Sequence, residues 1–92
     1  MLPWYLGPMA TPVERTQTGI RMEKRLLKVL KGLAEYHDMS LGDLLEGIVL
    51  HAFEGKAALG KESLKKVGEL RKVYGLDLTA AHSHKLVERK KP

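Results

Sequence analysis

One short segment with alternating side chains constrains the fold of this chain more than any other feature. Alternation over residues 16–22 is typical of a β-strand. A lone strand leaves its backbone unpaired, and the chain holds no second segment of similar quality. We therefore expect this strand to pair with its copy in a second chain as a two-stranded ribbon. One face would carry Thr16, Thr18, Ile20 and Met22, and the other would carry Arg15, Gln17, Gly19 and Arg21.

The length and residue types limit the chain to one small domain. Its 92 residues provide a marginal core that dimerisation would support. The absence of cysteine excludes disulfides and thiolate metal sites and fits a cytoplasmic protein. The sequence contains no run of about 18 apolar residues, so we expect no membrane span. Because prolines interrupt the apolar N-terminus, we expect residues 1–13 to form an irregular arm and not a secretory signal.

The charge is unevenly distributed along the chain. The formal net charge is +5. Residues 14–55 hold six basic and seven acidic side chains, whereas residues 56–92 hold ten basic and four acidic ones. This basic excess favours a polyanionic partner.

Helical periodicity follows the strand. Leu26, Leu30 and Leu33 predict a first helix over residues 24–36, and Asp38 lies in the turn that follows it. Ser40 predicts the start of a second helix, through a capping box with Asp43, and Gly55 predicts its end. The wide apolar face of this second helix suits packing between subunits: Leu41, Leu44, Leu45, Ile48, Val49, Ala52 and Phe53.

A helical extension completes the predicted organisation. A third helix is expected over residues 61–74 with Gly75 as its end, and Thr79 is expected to start a fourth that ends near Glu88. The predicted regions are an arm at 1–13, a central domain at 14–55 and a basic helical extension at 56–92.

The stretch from Thr16 to Phe53 resembles the ribbon-helix-helix family of DNA-binding proteins, to which the Arc and MetJ repressors belong. The order and spacing of the strand and the two helices carry the resemblance. It implies a mainly α fold with one short strand, arranged as an intertwined homodimer with an intersubunit antiparallel β-ribbon. The corresponding dimer core would contain Ile20, Met22, Leu45, Ile48, Val49 and Phe53.

The resemblance also implies a site for double-stranded DNA. Gln17 and Arg21 match base-reading positions, and Arg15 lies on the same face. Arginine can bind guanine and glutamine can bind adenine in bidentate fashion, each pair discriminating by about 1–3 kcal/mol. The start of the second helix matches a phosphate clamp. Phosphate contacts are therefore expected from Ser40, Leu41, Gly42 and Lys24.

Three departures from the family narrow this expectation. Gly19 occupies the central outward position of the strand, where the family usually has a polar reader. Asp38 stands in the turn where the family often has glycine. Residues 56–92 have no counterpart in the minimal domain.

The sequence thus predicts a sequence-specific transcriptional regulator that acts as a homodimer or dimer of dimers in the cytoplasm. The resemblance implies that it is a repressor. The alternative is an antitoxin-type protein whose extension, residues 56–92, binds a protein partner. No catalytic constellation or phosphate loop is present in the sequence, so we expect no enzyme activity and no cofactor. His82 and His84 would lie on nearly opposite faces of a helix, so we expect no metal site there.

Overall fold

The computed structural model describes residues 10–89, and its regular structure is helical. Helix α1 spans Lys24–Tyr36, α2 spans Leu41–Phe53 and α3 spans Lys61–Tyr74. These three predicted helices are confirmed. Helix α1 packs against both α2 and α3, so it is the central element of the fold. Most of the predicted irregular arm, residues 1–9, lies outside the described residues.

The predicted β-strand is wrong. Within residues 10–89 no residue lies in a strand, so neither the short strand nor the β-ribbon of the predicted ribbon-helix-helix fold is present. Residues 11–22, here called the leading segment, contribute to none of the backbone hydrogen bonds found in the described part of the chain. Alternation reflects only a local preference for extended structure. A β-ladder also needs a second backbone to hydrogen-bond with, and within residues 10–89 none pairs with this segment.

The three helices end with the same backbone arrangement. A residue in the left-handed region follows each helix: Asp38 (φ 57°), Gly55 (φ 68°) and Gly75 (φ 66°). In each case the next N–H donates to a carbonyl five residues back, over 2.9–3.0 Å. These six-to-one bonds define Schellman motifs, which explains why glycine or a short polar residue occupies the turn. The predicted ends at Gly55 and Gly75 are confirmed.

A small apolar core lies where the three helices meet. Leu33, Ala34 and Leu44 are its buried centre, and Leu33 is only 1% exposed. Helix α3 runs antiparallel to α1, since Arg25 Nη1 donates to the Gly75 carbonyl at one end (2.8 Å) and Tyr36 bonds Glu62 at the other. Half-buried apolar residues surround the centre: Leu30, Ile48, Leu59, Val67 and Leu70.

The contact between α1 and α3 predicts different outcomes for two glycine substitutions. A Cβ at Gly68 of α3 would meet nothing within 4 Å, whereas one at Gly32 of α1 would lie 2.9 Å from Leu70 Cδ2. We expect Gly68→Ala to raise the free energy of unfolding by about 1 kcal/mol, because alanine favours helix interiors over glycine. Gly32→Ala should raise the free energy of unfolding clearly less, because Leu70 must move to make room for the added Cβ. Equal gains in urea denaturation would contradict this packing.

The predicted fourth helix is also wrong. Between α3 and residue 89, the regular structure consists of one short 3₁₀ turn, Ala80–His82. The His82 ring accepts the N–H of Thr79 at 2.9 Å, and His84 adopts a left-handed conformation (φ 65°) that is incompatible with helix continuation. Among the described helices, none is long and apolar enough to cross a membrane.

Candidate nucleic-acid interface

The predicted base-contacting residues lie on the exposed leading segment. Residues 11–21 are all exposed, so Arg15, Gln17 and Arg21 present their side chains to solvent. Lys24 is exposed as the first residue of α1. Glu23 caps this helix: its carboxylate accepts the Leu26 N–H at 2.8 Å, which holds the pKa of Glu23 below its ordinary value.

The start of α2 has half of the predicted capping box, because the reciprocal bond from the Ser40 N–H to the Asp43 carboxylate is not among those found within residues 10–89. Ser40 Oγ accepts the Asp43 N–H at 3.1 Å, and the Ser40 carbonyl accepts the Leu44 N–H at 3.0 Å. The Asp43 N–H is therefore engaged. The N–H groups of Leu41 and Gly42 take part in none of the hydrogen bonds found within residues 10–89. With the Ser40 hydroxyl proton, they are the donors that the start of α2 can offer to an anion.

An ion pair places the leading segment beside α2. Arg15 donates from Nε and Nη2 to the two carboxylate oxygens of Glu46, at 2.9 and 2.8 Å. The pair raises the pKa of Arg15, and the hydrogen bond from Arg15 lowers the pKa of Glu46. Glu46 follows Ser40 by six residues, or about 9 Å of helix axis. Arg15 therefore contacts α2 about two turns from the start of the helix.

Arg21 is held by a different partner. Its Nε donates to Glu88 Oε1 at 3.2 Å, and its Nη2 donates to the other oxygen of the same carboxylate. Glu88 lies outside regular structure near the end of the described range. The two predicted base-reading arginines are thus paired with carboxylates 31 and 67 residues away. Sequence reasoning missed both glutamates, because neither spacing forms a local pattern.

The electrostatics near the start of α2 are mixed. Helix α2 carries Asp43 and Glu46 but neither lysine nor arginine, and both carboxylates oppose a phosphate near its start. The pairing with Arg15 offsets the charge of Glu46. Positive charge is provided instead by exposed lysines on α1 that form no ion pair within residues 10–89, namely Lys24, Lys28 and Lys31.

The predicted dimer-core residues fall into two groups. Met22, Leu45 and Ile48 are half-buried within the single chain, and Ile48 packs against the core. Ile20, Val49 and Phe53 are exposed, with Phe53 81% accessible. Leu50, which sequence reasoning left out of this set, is 65% exposed on the same helix. Val49, Leu50 and Phe53 together form what we call the apolar face of α2.

The contact between the leading segment and α2 predicts a coupled titration. Removing the guanidinium in Arg15→Ala should raise the Glu46 pKa towards its ordinary value, because the hydrogen bond that favours the carboxylate is lost. The lowered pKa means that this pair stabilises the fold above the unfolded-state pKa of glutamate and ceases to do so as pH falls. A carboxyl-detected NMR titration measures the change, with Glu23 as an internal control. An unchanged Glu46 pKa would contradict the contact.

Comparison of the chain with protein-family models, with curated proteins and with solved structures gave no match. The resemblance to ribbon-helix-helix proteins therefore stays a prediction from the residues of the sequence. Within residues 10–89, no group of three or more His, Asp or Glu side chains is placed to hold a metal ion.

Proposed function

We propose that this protein is a sequence-specific DNA-binding transcriptional regulator. The observation that carries the proposal is the pairing of Arg15 with Glu46, which holds a cation of the exposed leading segment against α2, about two turns from the helix start. Two features separated in sequence, the leading segment and a helix start with N–H donors, are thereby attached to each other, and we infer that they contact one DNA duplex together. DNA has the matching pattern of acceptors, because phosphates flank the base edges of a groove.

Each of the candidate contact residues has a role that suits its chemistry. Base edges are contacted by Arg15, Gln17 and Arg21, whose forked or amide groups can form bidentate pairs. Phosphates are contacted by the Ser40 hydroxyl and the backbone N–H groups of Leu41 and Gly42, with Lys24 adding charge. The leading segment makes the base contacts as a single exposed segment, so no pairing of β-strands is required.

Action as a homodimer is supported by the apolar face of α2, because Val49, Leu50 and Phe53 are 43%, 65% and 81% exposed in the single chain. A second copy of this face would cover these side chains. Its three side chains are uncharged, so two copies can meet there without burying like charges.

The alternative function has less support. An antitoxin-type protein would use residues 56–92 to bind a protein partner, but α3 uses Val67 and Leu70 to pack against the core of this chain. A DNA-binding role places the protein in the cytoplasm, at the nucleoid.

Arg21→Ala tests the proposed reading face. Sites are first selected from random duplex DNA with the full chain, and affinities for the selected and random duplexes are then compared. We expect Arg21→Ala to reduce the preference for the selected site by about 1–3 kcal/mol, because a bidentate base contact is lost. Lys61→Ala, an exposed lysine at the start of α3, is the matched control and should leave the preference unchanged.

The salt dependence of binding separates base contacts from phosphate contacts. The logarithm of the binding constant should fall linearly with the logarithm of salt concentration, with a slope of about −0.9 for each neutralised phosphate.

If Arg21→Ala prefers the selected site over random duplex as strongly as the wild type does, the assigned reading face is wrong. Equal affinity of the wild type for every duplex would contradict the proposed function itself.

A further inference from the structure

Both base-reading arginines are bound by carboxylates along the same edge of the guanidinium. Arg15 and Arg21 each donate from Nε and Nη2, and in each case one glutamate receives both bonds. A guanidinium has a second edge, formed by Nη1 and Nη2, whose N–H groups also lie parallel. Three of the five N–H donors of Arg15 are therefore left for another ligand, and two of them form this second edge.

We propose that Glu46 is a positioning residue that orients Arg15 so that its Nη1–Nη2 edge reads a guanine base. The inference rests on the proposed function and deepens it, since it names the base that the site recognises. Guanine presents O6 and N7 as two adjacent acceptors on its major-groove edge. Adenine presents one acceptor and one donor there, so two parallel N–H groups match guanine alone.

The location of Glu46 makes it the better positioning group of the two glutamates. It lies in the second turn of α2, a regular helix capped by Ser40. Glu88 lies outside regular structure, so its carboxylate direction is not fixed by a helix. A bidentate bond from a carboxylate on a helix restricts the rotamers of the long Arg15 side chain before DNA binds. Less side-chain entropy is therefore lost when the complex forms.

The exposure of the pair is consistent with a role in orientation. The side chain of Arg15 is 63% accessible and that of Glu46 is 47% accessible. Solvent screens such an exposed pair, so its contribution to fold stability is small. Because most of the Arg15 side chain is accessible, we infer that a base edge can reach its Nη1–Nη2 edge without breaking the bonds to Glu46.

The test uses the full chain and a chemically altered DNA. A duplex selected from random DNA is prepared in two forms, with guanine or with 7-deazaguanine at each guanine position in turn. The altered base keeps its pairing but loses the N7 acceptor. At the position that Arg15 reads, we expect wild-type protein to favour guanine by about ten-fold. In Glu46→Gln this ratio should fall to about two-fold, because the guanidinium is no longer held in a fixed direction.

Glu54→Gln is the matched control. Glu54 is also exposed, immediately follows α2 and pairs with a lysine, Lys56. Both substitutions remove one negative charge and should raise affinity for random DNA alike. Only Glu46→Gln should change the guanine ratio. Arg15→Lys, which keeps the charge but loses the fork, provides a second variant that should lower the same ratio.

The outcomes separate the inference from the function on which it rests. A guanine ratio that is the same in wild type and Glu46→Gln overturns the positioning role. A selected site whose guanines show no 7-deazaguanine effect also overturns it, while leaving DNA binding intact. Failure of the wild-type chain to select any site overturns the proposed function together with the inference.

Discussion

Replacing Leu33 with alanine lowers the free energy of unfolding by about 2–5 kcal/mol, because it leaves a cavity at the point where the three helices meet. Leu33 is 1% exposed and is the most deeply buried large side chain in the described range. Such a loss is a large fraction of the stability of a domain this small. Urea denaturation followed by circular dichroism, at one fixed protein concentration, measures it.

Val73→Ala is the matched control for this prediction. Val73 lies on α3 and is 70% exposed, so its truncation should change stability by no more than about 0.5 kcal/mol. Similar losses in the two variants would mean that Leu33 does not occupy the centre of the core.

Replacing Phe53 with aspartate separates the proposed dimer into monomers. Phe53 is 81% exposed in the single chain, so the substitution would leave the sedimenting mass unchanged if the protein were a monomer. In a dimer that covers the apolar face of α2, it would bury a carboxylate without a partner, and the dissociation constant should rise by about 100-fold or more. Sedimentation equilibrium over a range of concentrations measures the molecular mass and the dissociation constant.

Val73→Asp provides the control for dimer formation, because it introduces the same charge at an exposed apolar position on α3. It should leave the dimer intact. A wild-type chain that sediments as a monomer at every concentration would contradict self-association. Equal weakening by the two variants would place the interface elsewhere.

The helices could be predicted from the sequence because their signals are local. Apolar spacing gave the span of α1, Ser40 marked the start of α2, and Gly75 marked the end of α3. Each signal depends on contacts within one or two turns, which the neighbouring residues determine. Even Asp38, which replaces the more usual glycine, adopts the left-handed conformation that the turn requires.

The strand and the fourth helix could not be predicted reliably because their formation depends on more than local preference. Alternation over residues 16–22 indicates which residues share a face, but a strand also needs a partner backbone that the described chain does not supply. The predicted fourth helix is replaced by the 3₁₀ turn Ala80–His82, because Ser83 is extended (φ −58°, ψ 133°) and His84 is left-handed (φ 65°).

The candidate site was predicted only in part. The exposed positions of Arg15, Gln17 and Arg21 were expected, but their carboxylate partners were not. Glu46 and Glu88 are distant in sequence and exposed, and such pairs follow from how the elements pack. The close approach of Leu70 to Gly32 is of the same kind, because it depends on the register of α3 against α1.

The most direct test of the proposed DNA-binding function is selection from a random duplex library by the full chain at physiological salt. We expect repeated rounds to enrich a shared sequence that contains guanine, and we expect wild-type protein to bind this sequence more tightly than random duplex. Two copies of the sequence in one site would fit the proposed homodimer. A library that stays random after repeated rounds, with equal affinity for all duplexes, would contradict sequence-specific DNA binding by this protein.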